Sequence, residues 1–467
     1  MPHIVSFIPV KWLSRMFQER DGITLFDEIG LTIFGCPDLL TAAKYSLYLL
    51  DKGYDILTQK FVHFSARGHR IVAAGRRASG HGRYDVQIIG PFGRTFGLGE
   101  SCRLLGRSIE ALGYKTNFVD FDVGALSPSE ANEYGCAVAA ANVNSLHINA
   151  ETIPAAVAYL PDVFTRAQNI GFLYWELNFP SDCQKLGLKL VDEIWAPSSF
   201  IEANFKTYCR SIINIGMTCA TLRRKDSDLR RRALCRYNIE DDKFIFLHTS
   251  DALSRAQRKN PVGVMRAFLA AFPQNENVKL IIKTHNASAS SAIGQEQSRI
   301  WRSIREVAAG DRRIVFIDET FSYEEHQILI ACADCFVSLH RAEGFGLDML
   351  YAMGCGIPVL ATGYSGNLEF CTDETSWLIG FRTAPVLPEE YPFVEPGHTW
   401  AEPNHDEAVA KMQEIVRNVL KRNELAGNGQ RLVAARFSPG ALSERVGGRL
   451  NQLLGGVRDK EREKGAG

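Results

Sequence analysis

The chain has 467 residues, too many for one ordinary core and enough for two or three domains. Hydrophobic residues make up 46 % and charged residues 23 %, which excludes a disordered or fibrous chain. Lys plus Arg and Asp plus Glu number 53 each, so no net charge draws the chain onto nucleic acid. No apolar run approaches the roughly 20 residues of a membrane-spanning helix, and the first lysine, Lys11, follows the opening apolar stretch, which argues against a secretory signal.

In chain order, residues 1–83 form an extension of uncertain fold, opening on Ile4-Val-Ser-Phe-Ile-Pro-Val-Lys-Trp12, an amphipathic stretch that packs on the domains or touches a membrane surface. From residue 84 short β-branched runs alternate with amphipathic stretches, as in parallel βαβ units. A strand over 84–90 is followed by a glycine-rich loop from Pro91 to Glu100, a helix through Leu104, Leu105, Ile109 and Leu112 stopped by Gly113, and a strand over 115–121. Further strands are expected at 136–144, 169–175, 193–197 and 211–215, giving a first Rossmann-like domain over 84–216.

The charge-rich residues 217–242, with Arg223-Arg-Lys-Asp-Ser-Asp-Leu-Arg-Arg-Arg232, read as a solvated interdomain connection. A second βα series follows, with strands at 243–249, 278–283, 312–317, 334–339, 357–361 and 376–379, in a second domain over 243–404. Residues 405–467 supply helices at 405–424 and 440–454 and a charged, mobile tail from Arg458. The fold class is α/β: two doubly wound domains facing across a cleft, with ligand beyond the carboxyl ends of the strands. Eleven cysteines are too sparse for a disulfide scaffold, and Cys332-Ala-Asp-Cys335 lacks the second pair or histidines that zinc would need. Buried thiols in a reducing compartment, the cytoplasm, are expected.

Ser338-Leu-His-Arg-Ala-Glu-Gly-Phe-Gly-Leu-Asp348 runs from a strand through a short glycine loop into a helix. Gly344 and Gly346 leave backbone N–H groups open at the positive end of the helix, which suits phosphate. Glu343 at the loop's edge can accept from sugar hydroxyls. Arg258-Lys-Asn-Pro261 opens another helix, with Asn260 as cap and Pro261 at the first position. His147 and Glu176 end two strands of the first domain, and His340 and Asn367 flank the glycine loop and its neighbouring turn. Of two Asp-x-Asp pairs, Asp120-Phe-Asp122 ends a strand, as a diphosphate-bound metal would require, and Asp226-Ser-Asp228 lies in the charged connection. No metal is expected, because the glycine loop would already hold the phosphates.

Ala342-Glu-Gly-Phe-Gly-Leu347, Gly356-Ile-Pro-Val-Leu-Ala-Thr-Gly363, Ser365-Gly-Asn-Leu-Glu-Phe370, Gly171-Phe-Leu-Tyr-Trp-Glu-Leu177 and Asp192-Glu-Ile-Trp-Ala-Pro-Ser-Ser-Phe200 together resemble the retaining glycosyltransferases of family 4, with their GT-B fold. The resemblance spans roughly residues 84–380 and implies transfer of a sugar from a nucleoside diphosphate sugar to an acceptor hydroxyl, without a cofactor. It implies that Gly344, Phe345, Gly346 and Leu347 cradle the diphosphate with Lys259, that Gly97 and Gly99 close over it, and that Glu343 and His147 face the donor sugar. Where the family has an arginine six residues before the lysine, this chain has Leu253, leaving Arg255 or Arg258 for that role. The family's second motif glutamate is Tyr351 here. Eight helical steps of about 100° would keep Tyr351 over the pocket, whereas Asp348, about 140° from Glu343, looks a poor substitute. Glu176 would line the acceptor side. A carbohydrate or lipid-linked acceptor, a role in polysaccharide synthesis and peripheral contact with the inner membrane face follow by analogy. A nucleotide-sugar-binding protein that has lost turnover and a nucleotide-sugar epimerase are the rivals.

Overall fold

The computed structural model describes residues 19–20, 23–24, 84–94, 97–121, 139–153, 156, 164, 167–219, 226–288 and 290–465. The amphipathic opening at 4–12, Asp122 and residues 223–225 lie outside them. Two sheets of six parallel strands carry the fold. The first comprises β1 (Tyr84–Gly90), β2 (Thr116–Asp120), β3 (Ala141–Leu146), β4 (Gln168–Phe172), β5 (Glu193–Ala196) and β6 (Ile212–Asn214), in the order β2-β1-β3-β4-β5-β6. Its helices are α1 (Gly97–Glu110), α2 (Asp182–Leu190) and α3 (Ser199–Phe205).

The third strand starts later than the expected 136–144. Its polar residues belong to a buried amide ladder across four strands: Asn117 donates to Gln87 at 2.6 Å, Gln87 to Asn144 at 3.1 Å, and Asn144 to Asn169 at 3.0 Å. Each interior amide thus finds partners without water, so asparagine is tolerated where hydrophobic alternation alone would place Val or Ile.

The charge-rich connection, expected from its charge to be solvated, is not so throughout: Arg230 within it is buried. It contains α4 (Ser227–Cys235), capped by Asp226, whose Oδ1 accepts from the Leu229 amide at 2.8 Å. Arg230 points inward from it, donating to the Asp334 carboxylate at 2.8 Å and to the carbonyls of Lys243 (2.9 Å) and Cys332. The guanidinium therefore bolts the helix to the second sheet, with its desolvation offset by four acceptors. Cys332 and Cys335 are buried thiols.

The second sheet comprises β7 (Phe244–Thr249), β8 (Val278–Thr284), β9 (Ile314–Asp318), β10 (Cys335–Ser338), β11 (Val359–Thr362) and β12 (Trp377–Ile379), in the order β9-β8-β7-β10-β11-β12. That is the doubly wound order, with its switch point between β7 and β10. Around it lie α5 (Ala256–Lys259), α6 (Pro261–Ala271), α7 (Ser290–Gly310), α8 (Tyr323–Ala331) and α9 (Leu347–Gly354). Asn260 caps α6 as expected: its Oδ1 accepts from the Gly263 amide at 3.0 Å while its Nδ2 donates to the Leu339 carbonyl at 2.9 Å.

An antiparallel pair, β13 (Phe381–Pro385) with β14 (Thr399–Pro403), was not expected. Residues 386–398 between its strands clasp the first domain. Ser181 donates to the Phe393 carbonyl at 2.5 Å, Glu395 accepts from the Asp182 amide at 2.5 Å, and Asn178 accepts from the Thr399 amide at 2.9 Å.

At the carboxyl end, α10 (His405–Arg417) and α11 (Val419–Arg436) cover the second domain, and α12 (Pro439–Gly465) crosses back to the first. The tail from Arg458 continues as helix to Gly465. Leu442, Val446, Leu450 and Leu454 recur every fourth residue, forming one apolar stripe that joins Leu105 and Ile109 of α1 in a single cluster. Arg449 seals the junction through the Glu193 carboxylate, at 2.9 Å from its Nε. Among the described residues no helix is long and apolar enough to cross a membrane.

Leu450 is fully buried in this stripe. Leu450→Ala is expected to cost about 2–5 kcal/mol in urea unfolding. A loss below about 1 kcal/mol would mean that α12 is not seated on the first domain.

Candidate active site

The glycine loop owes its shape to close backbone contacts. Gly346 has φ +96°, open to glycine and costly to a branched residue. The neighbouring turn presses against it: a Cβ on Gly366 would meet the Gly344 carbonyl oxygen at 2.1 Å. The Glu343 amide donates to Ser365 Oγ at 2.8 Å and the Gly366 amide to the Glu343 carbonyl at 2.9 Å. The loop is pinned from below, and the first amides of α9 have no intrahelical acceptor. From the first domain, Ser198 Oγ donates to the Gly344 carbonyl at 2.7 Å.

A cavity of about 500 Å³ opens in front of this loop, walled by both domains. Lys259 and the loop residues Gly344, Phe345, Gly346 and Leu347 share it. Glu343 forms an ion pair with Lys259 and lies 3.3 Å from Arg258. Burial alone would raise the Glu343 carboxyl, but the charges of Lys259 and Arg258 outweigh it and hold it down at about 2. Arg258 also donates to the Ala342 carbonyl at 3.0 Å and lies 3.7 Å from Glu176. Tyr391, from the clasp, donates to Glu176 at 2.5 Å. One chain of buried polar contacts therefore runs from Tyr391 through Glu176, Arg258 and Glu343 to Lys259.

Of the two candidates for the missing arginine, Arg258 reaches the cavity. Arg255, at φ +68°, is not among its lining residues, and Leu253 stands exposed on the wall. Gly97 lines the cavity as the first residue of α1 and not as part of a loop. Gly99 sits behind it, buried, where a Cβ would meet the Arg94 carbonyl oxygen at 2.3 Å. Its role is close packing.

His147 does not face the cavity. It is fully buried, stacked on Phe172 at 4.4 Å, with Nε2 2.8 Å from Ser101 Oγ. Burial pushes its ring down to about 3, so it is held neutral. Ser101 Oγ lies 2.5 Å from Tyr174 OH, and Tyr174 is what reaches the cavity wall. His340 and Asn367 are likewise buried beneath the loop: His340 Nε2 lies 3.1 Å from Asn367 Oδ1, and Asn367 donates to the Thr362 carbonyl at 3.0 Å. They position the turn. Asp120 accepts from the Gly93 amide at 3.2 Å, which ties down the loop before α1.

Tyr351 touches the cavity but is only 3 % exposed and packs in the core. The angular comparison of Tyr351 and Asp348 from Glu343 fails because the helix begins at Leu347, after Glu343. Asp348, set aside on that ground, lines the cavity. Thr249 Oγ1 donates to its Oδ2 at 2.5 Å, and His326 Nε2 lies 3.1 Å from its Oδ1. Lys283, at the end of β8, was also missed, though a charged residue ending a buried strand is a legible signal. Tyr391 had none.

Residues 254–387 match the family described as glycosyl transferases group 1. The match lies within the second domain. Around it the two six-stranded sheets form the GT-B fold, shared with sucrose-phosphate synthase from Thermosynechococcus elongatus at 18 % identity and TM-score 0.57, over 80 % of this chain and 100 % of that one. Anabaena HepE, in complex with UDP and glucose, gives 14 % identity and TM-score 0.58, over 79 % and 100 % of the two chains. No curated protein matches the chain. The second domain contributes the glycine loop, Lys259, Arg258 and Glu343 to the cavity, and the first domain contributes Gly97, Tyr174 and Glu176.

Glu343 has a folded pKa of about 2, below the ordinary 4.5. Its contribution to stability is present above pH 4.5 and is lost as pH falls toward 2. Glu343→Gln leaves Lys259 without its carboxylate and Arg258 with Glu176 alone, and is expected to cost about 3 kcal/mol at neutral pH. The gap between variant and wild type in urea midpoint should narrow from pH 4.5 to pH 2. A pH-independent gap would refute the pairing.

Proposed function

We propose that this protein is a retaining glycosyltransferase that moves a sugar from a nucleoside diphosphate sugar to an acceptor hydroxyl, without a metal. The observation that carries the proposal is that Lys259, Arg258 and the Gly344–Gly346 turn face one interdomain cavity. In the proposed reaction the bond from the anomeric carbon to the diphosphate oxygen breaks, and its electron pair leaves with the diphosphate. Lys259 and the α9 amides offset the charge that accumulates there. The acceptor oxygen bonds to the anomeric carbon, and its proton passes to the departing phosphate. Glu343 is committed to Lys259 and Arg258, and Glu176 to Tyr391, which supports same-face attack steered by the diphosphate over a carboxylate nucleophile. The complex of Anabaena HepE with UDP and glucose supports a carbohydrate acceptor and a uridine donor as the first to try. Work on cell-surface or lipid-linked glycans, at the cytoplasmic face of a membrane, is the biological setting proposed.

The second reading, a nucleotide-sugar-binding protein without turnover, is favoured by buried Tyr351 and exposed Leu253. Calorimetry and turnover with UDP-, GDP- and ADP-sugars separate the two. Transfer or donor hydrolysis is expected, and Lys259→Ala should lower kcat by about 10²–10³. Binding without turnover would select the second reading. Sugar inversion without acceptor would select an epimerase.

A further inference from the structure

A second cavity, of about 460 Å³, lies within the second domain. Helix α5 separates it from the first. Arg258 and Lys259 line the first cavity, whereas Ala256 and Gln257 line the second. Two helical steps turn about 200°, so the two pairs face opposite sides of α5. The segment ahead of the glycine loop divides in the same way, with Ser338 and Glu343 on the first cavity and Leu339 and Arg341 on the second. No residue lines both, so the second cavity is a separate space.

The charge on its wall is positive. Arg266, exposed on α6, makes no ion pair among the described residues. Arg341 lies with its guanidinium 5.3 Å over the Trp400 ring. It donates from Nε to Glu402 at 2.7 Å and from Nη1 to the Gln257 carbonyl at 3.0 Å, which leaves Nη2 without an acceptor among the described residues. His405, the first residue of α10, shares the wall. Glu402 is the one carboxylate there among the described residues, and Arg341 engages it. Glu296, which accepts from Gln257 Nε2 at 3.0 Å, does not line the cavity.

Val262, Ile300 and Leu339 give the same cavity an apolar side, and its volume is that of a small-molecule site. A planar carboxylate is matched by a single guanidinium fork, whereas a phosphate offers three oxygens to donors on different elements. Here the donors come from three places: α6, the segment ahead of the glycine loop, and α10. We infer, independently of the function proposed above, that this second cavity binds a small phosphate ester. Arg266, Arg341 and His405 meet the phosphate, and Val262, Ile300 and Leu339 meet the organic part.

The test is calorimetry on the full chain with benzyl phosphate as the probe and benzoate and benzyl alcohol as controls. Lys259→Ala, which strips the first cavity of its ammonium, is expected to retain benzyl phosphate binding. Arg266→Ala, alone or combined with Lys259→Ala, should weaken it about tenfold or more, the scale of a hydrogen bond between charged groups. Arg266 is exposed, so an unchanged melting temperature without ligand is expected and shows that the variant is folded. Arg382→Ala, which removes an exposed arginine that does not line this cavity, should leave the affinity unchanged. Equal losses in Arg266→Ala and Arg382→Ala reveal nonspecific charge attraction and overturn the site. Binding that Lys259→Ala abolishes and Arg266→Ala leaves intact puts the phosphate in the first cavity and also overturns it. Benzoate or benzyl alcohol binding as tightly as benzyl phosphate overturns the assignment to a phosphate ester. No binding of benzyl phosphate by wild type overturns the inference outright, while the function proposed for the first cavity stands.

Discussion

A single carboxylate, Glu343, holds two cations in place at the mouth of the glycine loop. Arg258 and Lys259 are neighbours in sequence on α5, Arg258 buried and Lys259 partly so. Without a counter-charge each would suffer a desolvation penalty of several kcal/mol. Glu343 supplies it, and its own pKa of about 2 is the mirror of that pairing. The ammonium is thus held beside the Gly344–Gly346 turn by its ion pair with Glu343.

From this pair the interdomain contact follows. Arg258 also faces Glu176, and Glu176 is bonded to Tyr391 of the clasp between β13 and β14. The clasp is itself sewn to the first domain through Ser181, Asn178 and Glu395. The contact between the domains and the charge network therefore share residues, and the loop around Gly344 also meets the first domain through Ser198. At the opposite side α12 ties the domains again, by an apolar stripe and Arg449.

Behind the lining residues stands a second set that does not line the cavity. His340 and Asn367 support the turn that Gly366 presses against the loop, and His147 with Ser101 orients Tyr174. These histidines are buried and held neutral, so they act as hydrogen-bonding supports and not as charges. A histidine at the end of a strand looks the same in a sequence whether it points into a cleft or under it.

The sequence by itself determined the two βα series, the glycine loop and the cap formed by Asn260 and Pro261 on α6. Each is a local consequence of residue type: β-branched runs form buried strands, Gly346 alone allows φ +96°, and Asn260 meets an amide three residues away. It also named Lys259 and Glu343. Only the tertiary structure decided that these two pair, that Arg258 and not Arg255 turns inward, and that His147 lies buried while Asp348 faces the cavity. It decided too that Arg230 leaves a charged run to bolt α4 to a sheet, and that Tyr391 reaches Glu176 from 215 residues away. Those outcomes depend on which surfaces come together and exclude water, and burial, pairing and exposure belong to that assembly rather than to any short stretch of chain.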